Sequence, residues 1–175
     1  MKYFAKNQQS KAIITPLSQT NNQVKIINKV YNCDKKGRNI VKYITGIHAL
    51  NLRCSLLTTG DWHCLSLKWE DITFGDTENS IFGDYGIEYT DYVPNLSGKH
   101  AVANHIRALL DLISMGNFAL AGGMNKDFIC NDNYNEEIFE KIMMMRNFSN
   151  WEAIDSFMGR EYYGKWLEYK KENIV

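Results

Sequence analysis

The chain has 175 residues, 45% apolar and 13% aromatic, which suits one domain with a substantial core and is too apolar for disorder. Lysine plus arginine and aspartate plus glutamate both number 20, so the formal net charge is zero. A protein that coats a nucleic-acid duplex carries a clustered basic excess, whereas the one basic knot here, Lys35-Lys36-Gly37-Arg38, reads as a solvated turn, so nucleic acid is a disfavoured partner.

The first residues, Met1-Lys2-Tyr3-Phe4-Ala5-Lys6-Asn7, hold no apolar run of the secretory kind. Nowhere do about 18 apolar residues run together, as a membrane span needs. Cys33, Cys54, Cys64 and Cys130 are scattered without a Cys-x-x-Cys pair, which favours reduced thiols over disulfides. A cytosolic, soluble protein is expected.

Up to about Tyr92 the sequence is strand-like. Val24 to Tyr31 and Ile40 to Ile44 are rich in β-branched residues and flank the turn-prone 34–38, which predicts a hairpin, although Val24 to Tyr31 also fits a short helix. His63, Leu65, Leu67 and Trp69 alternate with Cys64, Ser66 and Lys68, the period of a half-buried strand. Ile81-Phe82 and Ile87-Glu88-Tyr89 are predicted as short strands around the turn Gly83-Asp84-Tyr85-Gly86.

After Pro94 the period changes. Ser97 is the expected N-cap of a helix whose apolar face carries Val102, Ile106, Leu109, Leu110 and Ile113, with Gly116 at its left-handed C-terminus. Ala121-Gly122-Gly123 breaks the chain. A second helix is expected from about Asn135 to Arg146, with Glu136 and Glu137 where the helix dipole favours acids. Ser149-Asn150-Trp151-Glu152 matches a capping box for a third helix ending near Gly159, and a last one follows from Arg160 to about Lys171. The expectation is a single α+β domain over 1–175, strand-rich over 10–92 and helical over 97–172. A mainly antiparallel sheet in the N-terminal half would be packed by three to four C-terminal helices.

Imidazoles, carboxylates and turn glycines gather most densely between His48 and Glu88. His48, Asp61 and His63 are the candidate catalytic residues, since two imidazoles and a carboxylate make a usual zinc or iron set. Against this, the strand period puts His63 on the apolar face with Leu65, Leu67 and Trp69, where a histidine is more often a hydrogen-bonded core residue. His48 and Asn51 equally suit a turn. No cofactor is expected, apart from a metal ion that His48 and His63 could share. Gly60-Asp61 and Gly83-Asp84-Tyr85-Gly86 match no phosphate-binding loop and read as hairpin turns. A cysteine nucleophile, Cys64 beside His63, is weakened because neighbours on a strand face opposite ways. On the first predicted helix His105 borders the apolar face and His100 points away from it.

Aromatics and methionines crowd the C-terminal helices. Three consecutive methionines, 143–145, cover about 200° of a helix, so at least one faces outward. Met144, Trp151, Tyr163 and Trp166 are therefore the candidate partner-binding residues.

The residues His48-Ala49-Leu50-Asn51 and Gly60-Asp61-Trp62-His63, with Phe82-Gly83-Asp84-Tyr85-Gly86 downstream, resemble a pattern in small bacterial proteins, some encoded beside nucleotidyltransferase-type toxins of toxin–antitoxin or abortive-infection loci. The resemblance covers roughly residues 45 to 115. It implies a cytosolic interaction protein, an antitoxin or accessory component whose partner is another protein encoded nearby. It supplies no catalytic residues. Absence of a basic N-terminal arm sets this chain apart from DNA-binding antitoxins. The alternative reading is a metal- or acid–base-dependent hydrolase acting on a nucleotide or nucleic acid through His48, Asp61 and His63.

Overall fold

A helix buried on every side sits in the middle of a protein, and His105–Ser114 is such a helix, although it carries His105, Arg107 and Asp111 among its apolar residues. In the computed structural model, which describes residues 32–33, 39–61 and 67–173, every residue from His105 to Ile113 is buried. Around it are arranged β1 (Asn32–Cys33), β2 (Asn39–Ile40), β3 (Lys42–Ile44), α1 (Gly46–Leu50), β4 (Phe74–Asp76), β5 (Ile87–Thr90) and β6 (His100–Ala103). The central helix is α2 (His105–Ser114), followed by α3 (Phe118–Ala121), α4 (Asn135–Met143), α5 (Trp151–Tyr162) and α6 (Gly164–Asn173). A π-helical turn, Met124–Ile129, lies between α3 and α4. The architecture is α+β, with strands in the first half and helices in the second. No helix among the described residues is long and apolar enough to cross a membrane.

The sheet is mainly antiparallel, as expected, but one of its pairings is parallel, which makes it mixed. Its order is β4-β3-β6-β5, and β3 pairs antiparallel with β4 but parallel with β6, where Ile44 faces Val102. Parallel neighbours need a long crossover, and the chain supplies it between residues 45 and 99. The expected hairpin around 34–38 exists at its base, where Asn32 pairs with Ile40 and Cys33 with Asn39. The turn itself and Val24 to Tyr31 lie outside the described residues. The predicted strand Ile40 to Ile44 divides at Val41, whose N–H donates to Thr77 Oγ1 at 3.0 Å. Of the predicted strand from His63 to Trp69, residues 63–66 lie outside the described residues and Leu67 to Trp69 are irregular. Ile81-Phe82 are turn rather than strand, so Gly83 to Gly86 lead into β5 instead of closing a hairpin.

The helix expected from Ser97 starts later. Residues 100–103 form β6, and Asn104 is the N-cap, its side chain accepting from the Arg107 N–H at 2.9 Å. Gly116 does take the left-handed position, with φ +78°. The Ser149 capping box does not form: the residue before α5 is Asn150, without a side-chain cap, and α5 runs past Gly159 to Tyr162. Tyr163 then breaks the chain at φ +50° before α6 begins.

Beneath α2 lies a fully buried polar network. The Arg107 guanidinium donates to Asp111 Oδ1 at 2.9 Å, to the Gly83 carbonyl at 2.9 Å, and to the Tyr85 carbonyl and Tyr43 hydroxyl. The Tyr43 hydroxyl donates to Asp111 Oδ2 at 2.9 Å, and Thr45 donates to the same oxygen at 2.6 Å. Burial, followed by the nearby Asp111 carboxylate, pushes the Tyr43 hydroxyl well above its ordinary pKa. A buried ion pair is tolerable only when its remaining valences are filled, and here strand, turn and helix fill them together. Gly86, at φ +70°, lets the turn reach α2: a Cβ there would stand 2.7 Å from Arg107 Cβ and 2.9 Å from Asn104 Oδ1.

Candidate functional site

His48 lies on α1. Its Nδ1 accepts from the Thr73 N–H at 3.3 Å, so Nε2 carries the proton and donates to the Lys68 carbonyl at 3.0 Å. Trp69 packs edge-on against the ring at 5.4 Å. Both ring nitrogens of this buried imidazole are committed to backbone groups. Asn51 caps α1, its side-chain amide donating to the Ile47 carbonyl at 2.8 Å. His63 lies outside the described residues, and with it the metal site it would share with His48. Among the described residues no three His, Cys, Asp or Glu side chains gather as metal ligands would.

Asp61 belongs to a different neighbourhood. Its backbone N–H donates to the Leu50 carbonyl at 2.8 Å, and it lines a cavity of about 240 Å³ with Thr58 and His105. The structure thus brings Asp61 toward a histidine 44 positions away in sequence. His105, at the first position of α2, is buried. Its Nε2 lies 2.7 Å from the Leu52 carbonyl, which can only accept, so that nitrogen carries a proton. The lone pair of the neutral ring is therefore on Nδ1, 2.6 Å from Thr58 Oγ1. Thr58 Oγ1 in turn lies 3.7 Å from Cys54 Sγ.

This half-exposed thiol and buried imidazole pull on each other. Burial raises the thiol, but hydrogen bonds to the His105 ring and backbone N–H, with its charge and Thr58, outweigh this and leave Cys54 near 7. Burial alone would lower His105, yet bonding to Cys54 and the Leu52 carbonyl raises it above its ordinary value. An amide at the start of a helix adds to the same preference for a thiolate.

Residues 51–61 are held by several ties. Gly60 N–H donates to the Phe128 carbonyl at 3.0 Å, Tyr134 donates to the Leu56 carbonyl at 3.2 Å, and Ser55 N–H donates to Glu88 Oε2 at 2.9 Å. Gly60 is not a hairpin turn. It sits at φ +69° with the place of its missing Cβ 2.3 Å from the Leu50 carbonyl and 2.7 Å from the His105 ring. Leu57 is 91% exposed and held at φ 53°, a strained conformation for a leucine.

On the other side of residues 51–53 an open groove of about 680 Å³ runs between Asn51, Leu52 and Arg53 and the segment Tyr92, Val93 and Pro94. Tyr92 is 86% exposed along it. The Ser55–Glu88 contact joins its two walls, since Glu88 belongs to the strand that leads into Tyr92.

The expected partner face on the C-terminal helices contracts. Trp166 is 0% exposed, its indole N–H donating to Asp155 Oδ1 at 2.7 Å and its ring stacked with Tyr169 at 6.0 Å; it is core. Trp151 is half-buried against it. Met144, 45% exposed, and Tyr163, 62% exposed, do face outward.

Sequence reasoning missed Cys54, Thr58 and Tyr92, and it placed His105 only at the edge of an apolar face. Fifty-one positions separate Cys54 from His105, and no short motif signals a pair made by folding alone. Comparison with protein-family models, curated proteins and solved structures gives no match.

Proposed function

We propose that this chain is a small cytosolic interaction protein, the neutralising or accessory component of a bacterial toxin–antitoxin or abortive-infection locus, and that it binds a protein encoded beside it. The observation that carries this reading is the open groove along residues 51–53 and 92–94, with Tyr92 86% exposed at its wall and Leu57 91% exposed on the adjoining loop. Tyrosine and arginine are the side chains that most often dominate binding when a partner desolvates them, and Tyr92 and Arg53 stand here together. The same residues fall within the stretch that resembles proteins of toxin loci. The hydrolase alternative loses support because its His48 has no ring nitrogen to spare.

The test is affinity measurement against the product of the adjoining reading frame, using the full chain and Tyr92→Ala and Arg53→Glu variants. Truncating a central tyrosine is expected to cost about 2 kcal/mol or more, roughly a thirtyfold weaker Kd. Wild-type affinity in both variants, or no binding by the wild-type chain, would defeat the reading.

A further inference from the structure

We propose that Cys54, Thr58 and His105 form a nucleophilic thiol site that takes an acyl group from an activated carbonyl compound, an ester or thioester. Three geometric features support it. First, the Leu52 carbonyl fixes the His105 tautomer, leaving the Nδ1 lone pair on the side of Thr58 and Cys54. An orienting acceptor on one ring nitrogen and, on the other, a hydroxyl that reaches the thiol give a relay from Cys54 through Thr58 to the base. Second, Gly60 lies flat against the ring, where any side chain would displace it. Third, Cys54 is half-exposed rather than sealed, so a small acyl compound can reach its sulfur, and a cavity of about 240 Å³ adjoins the Thr58–His105 pair that relays its proton.

The step balances without a further reagent. The Cys54 proton passes to Thr58 Oγ1 as the Thr58 proton passes to His105 Nδ1. The sulfur attacks the carbonyl carbon, a C–S bond forms, and the bond to the leaving alkoxide or thiolate breaks. The leaving group departs with the proton held by His105. Water, deprotonated by the same ring, then cleaves the thioester and restores the thiol. Cys130 provides the internal contrast: it is exposed, and its thiol donates only to the Lys126 carbonyl.

The experiment uses the full chain with two probes, iodoacetamide from pH 5 to 9 and p-nitrophenyl acetate, with modified residues mapped by mass spectrometry. Because a pKa near 7 leaves about half the thiol ionised at neutral pH, Cys54 is expected to alkylate at least tenfold faster than Cys130 at pH 7. Its rate profile should inflect near 7. The ester should release one rapid equivalent of nitrophenolate and leave acetyl on Cys54. His105→Gln should move the inflection toward the ordinary thiol range, about 8.5. Thr58→Val, at a half-exposed position, should slow acylation at least tenfold with unchanged circular dichroism, and it carries the test should His105→Gln fail to fold. An inflection near 8.5 in the wild-type chain, alkylation of Cys54 at the Cys130 rate, alkylation without acetyl transfer, or an unaffected Thr58→Val variant would each overturn the proposal.

Discussion

Two polar clusters hang from the first turns of the same helix and have opposite fates. Arg107 and Asp111 face one way into Tyr43, Thr45 and two backbone carbonyls, and the four side chains are buried. His105, two residues earlier and about 200° around the helix axis, faces a loop that leaves one side open to a cavity and a half-exposed thiol. The first cluster spends its hydrogen-bonding capacity on joining strand β3 and the turn before β5 to the core. The second ties one ring nitrogen to the scaffold and keeps the other for side chains that can exchange a proton. Filled valence marks the scaffold, and shared valence beside space marks the site. By the same rule His48, with both nitrogens taken by backbone, belongs with the scaffold.

The sharpest way to break this contrast is to cut the filled cluster. Asp111→Ala leaves a buried guanidinium without its counter-charge, and chemical denaturation is expected to show a loss of about 3–5 kcal/mol. A loss below about 1 kcal/mol would mean that the network is not a structural anchor. Gly60→Ala tests the second cluster from its scaffold side. A Cβ 2.3 Å from a backbone carbonyl and at φ +69° should cost about 1–3 kcal/mol, and it should also disturb Cys54 reactivity, which Asp111→Ala should not do in the folded fraction. The smallest effect concerns Tyr162. Among the described residues its buried hydroxyl has no hydrogen-bond partner, and its ring packs against others such as Phe139, 4.9 Å away. Tyr162→Phe should therefore be neutral or stabilise by up to about 1 kcal/mol in thermal melts, whereas a marked loss would reveal a partner for the hydroxyl.

Much of the helical half was legible because its signals are local. The apolar spacing 106, 109, 110, 113, the glycine at 116 and the acidic start of α4 all take their predicted places. The junction at 100–104 was misread for a physical reason. Val102 stands four residues before Ile106, so it fits the helical period, yet its partners are Ile44 and Glu88 on neighbouring strands. A parallel pairing across nearly sixty positions leaves no local trace. Ser97 and Asn104 both have N-cap chemistry, and only the pairing of β6 decides between them. The site was less legible still. Cys54, Thr58 and His105 meet through a loop whose closeness depends on Gly60, and in sequence that glycine looks like any turn residue. The aromatic wealth of the C-terminal helices misled in the other direction: Trp166 signalled core, with Met144 and Tyr163 as its exposed fringe.

The central claim is that the working face of this protein is the loop 51–61 with the groove beside it, and not the aromatic C-terminal helices. Hydrogen–deuterium exchange of the chain, alone and bound to the product of the adjoining reading frame, addresses it directly. The account predicts protection concentrated in peptides covering residues 51–57 and 90–94, with the segment 143–167 unchanged. Protection confined to 143–167, with 51–57 exchanging as in the free chain, would contradict it.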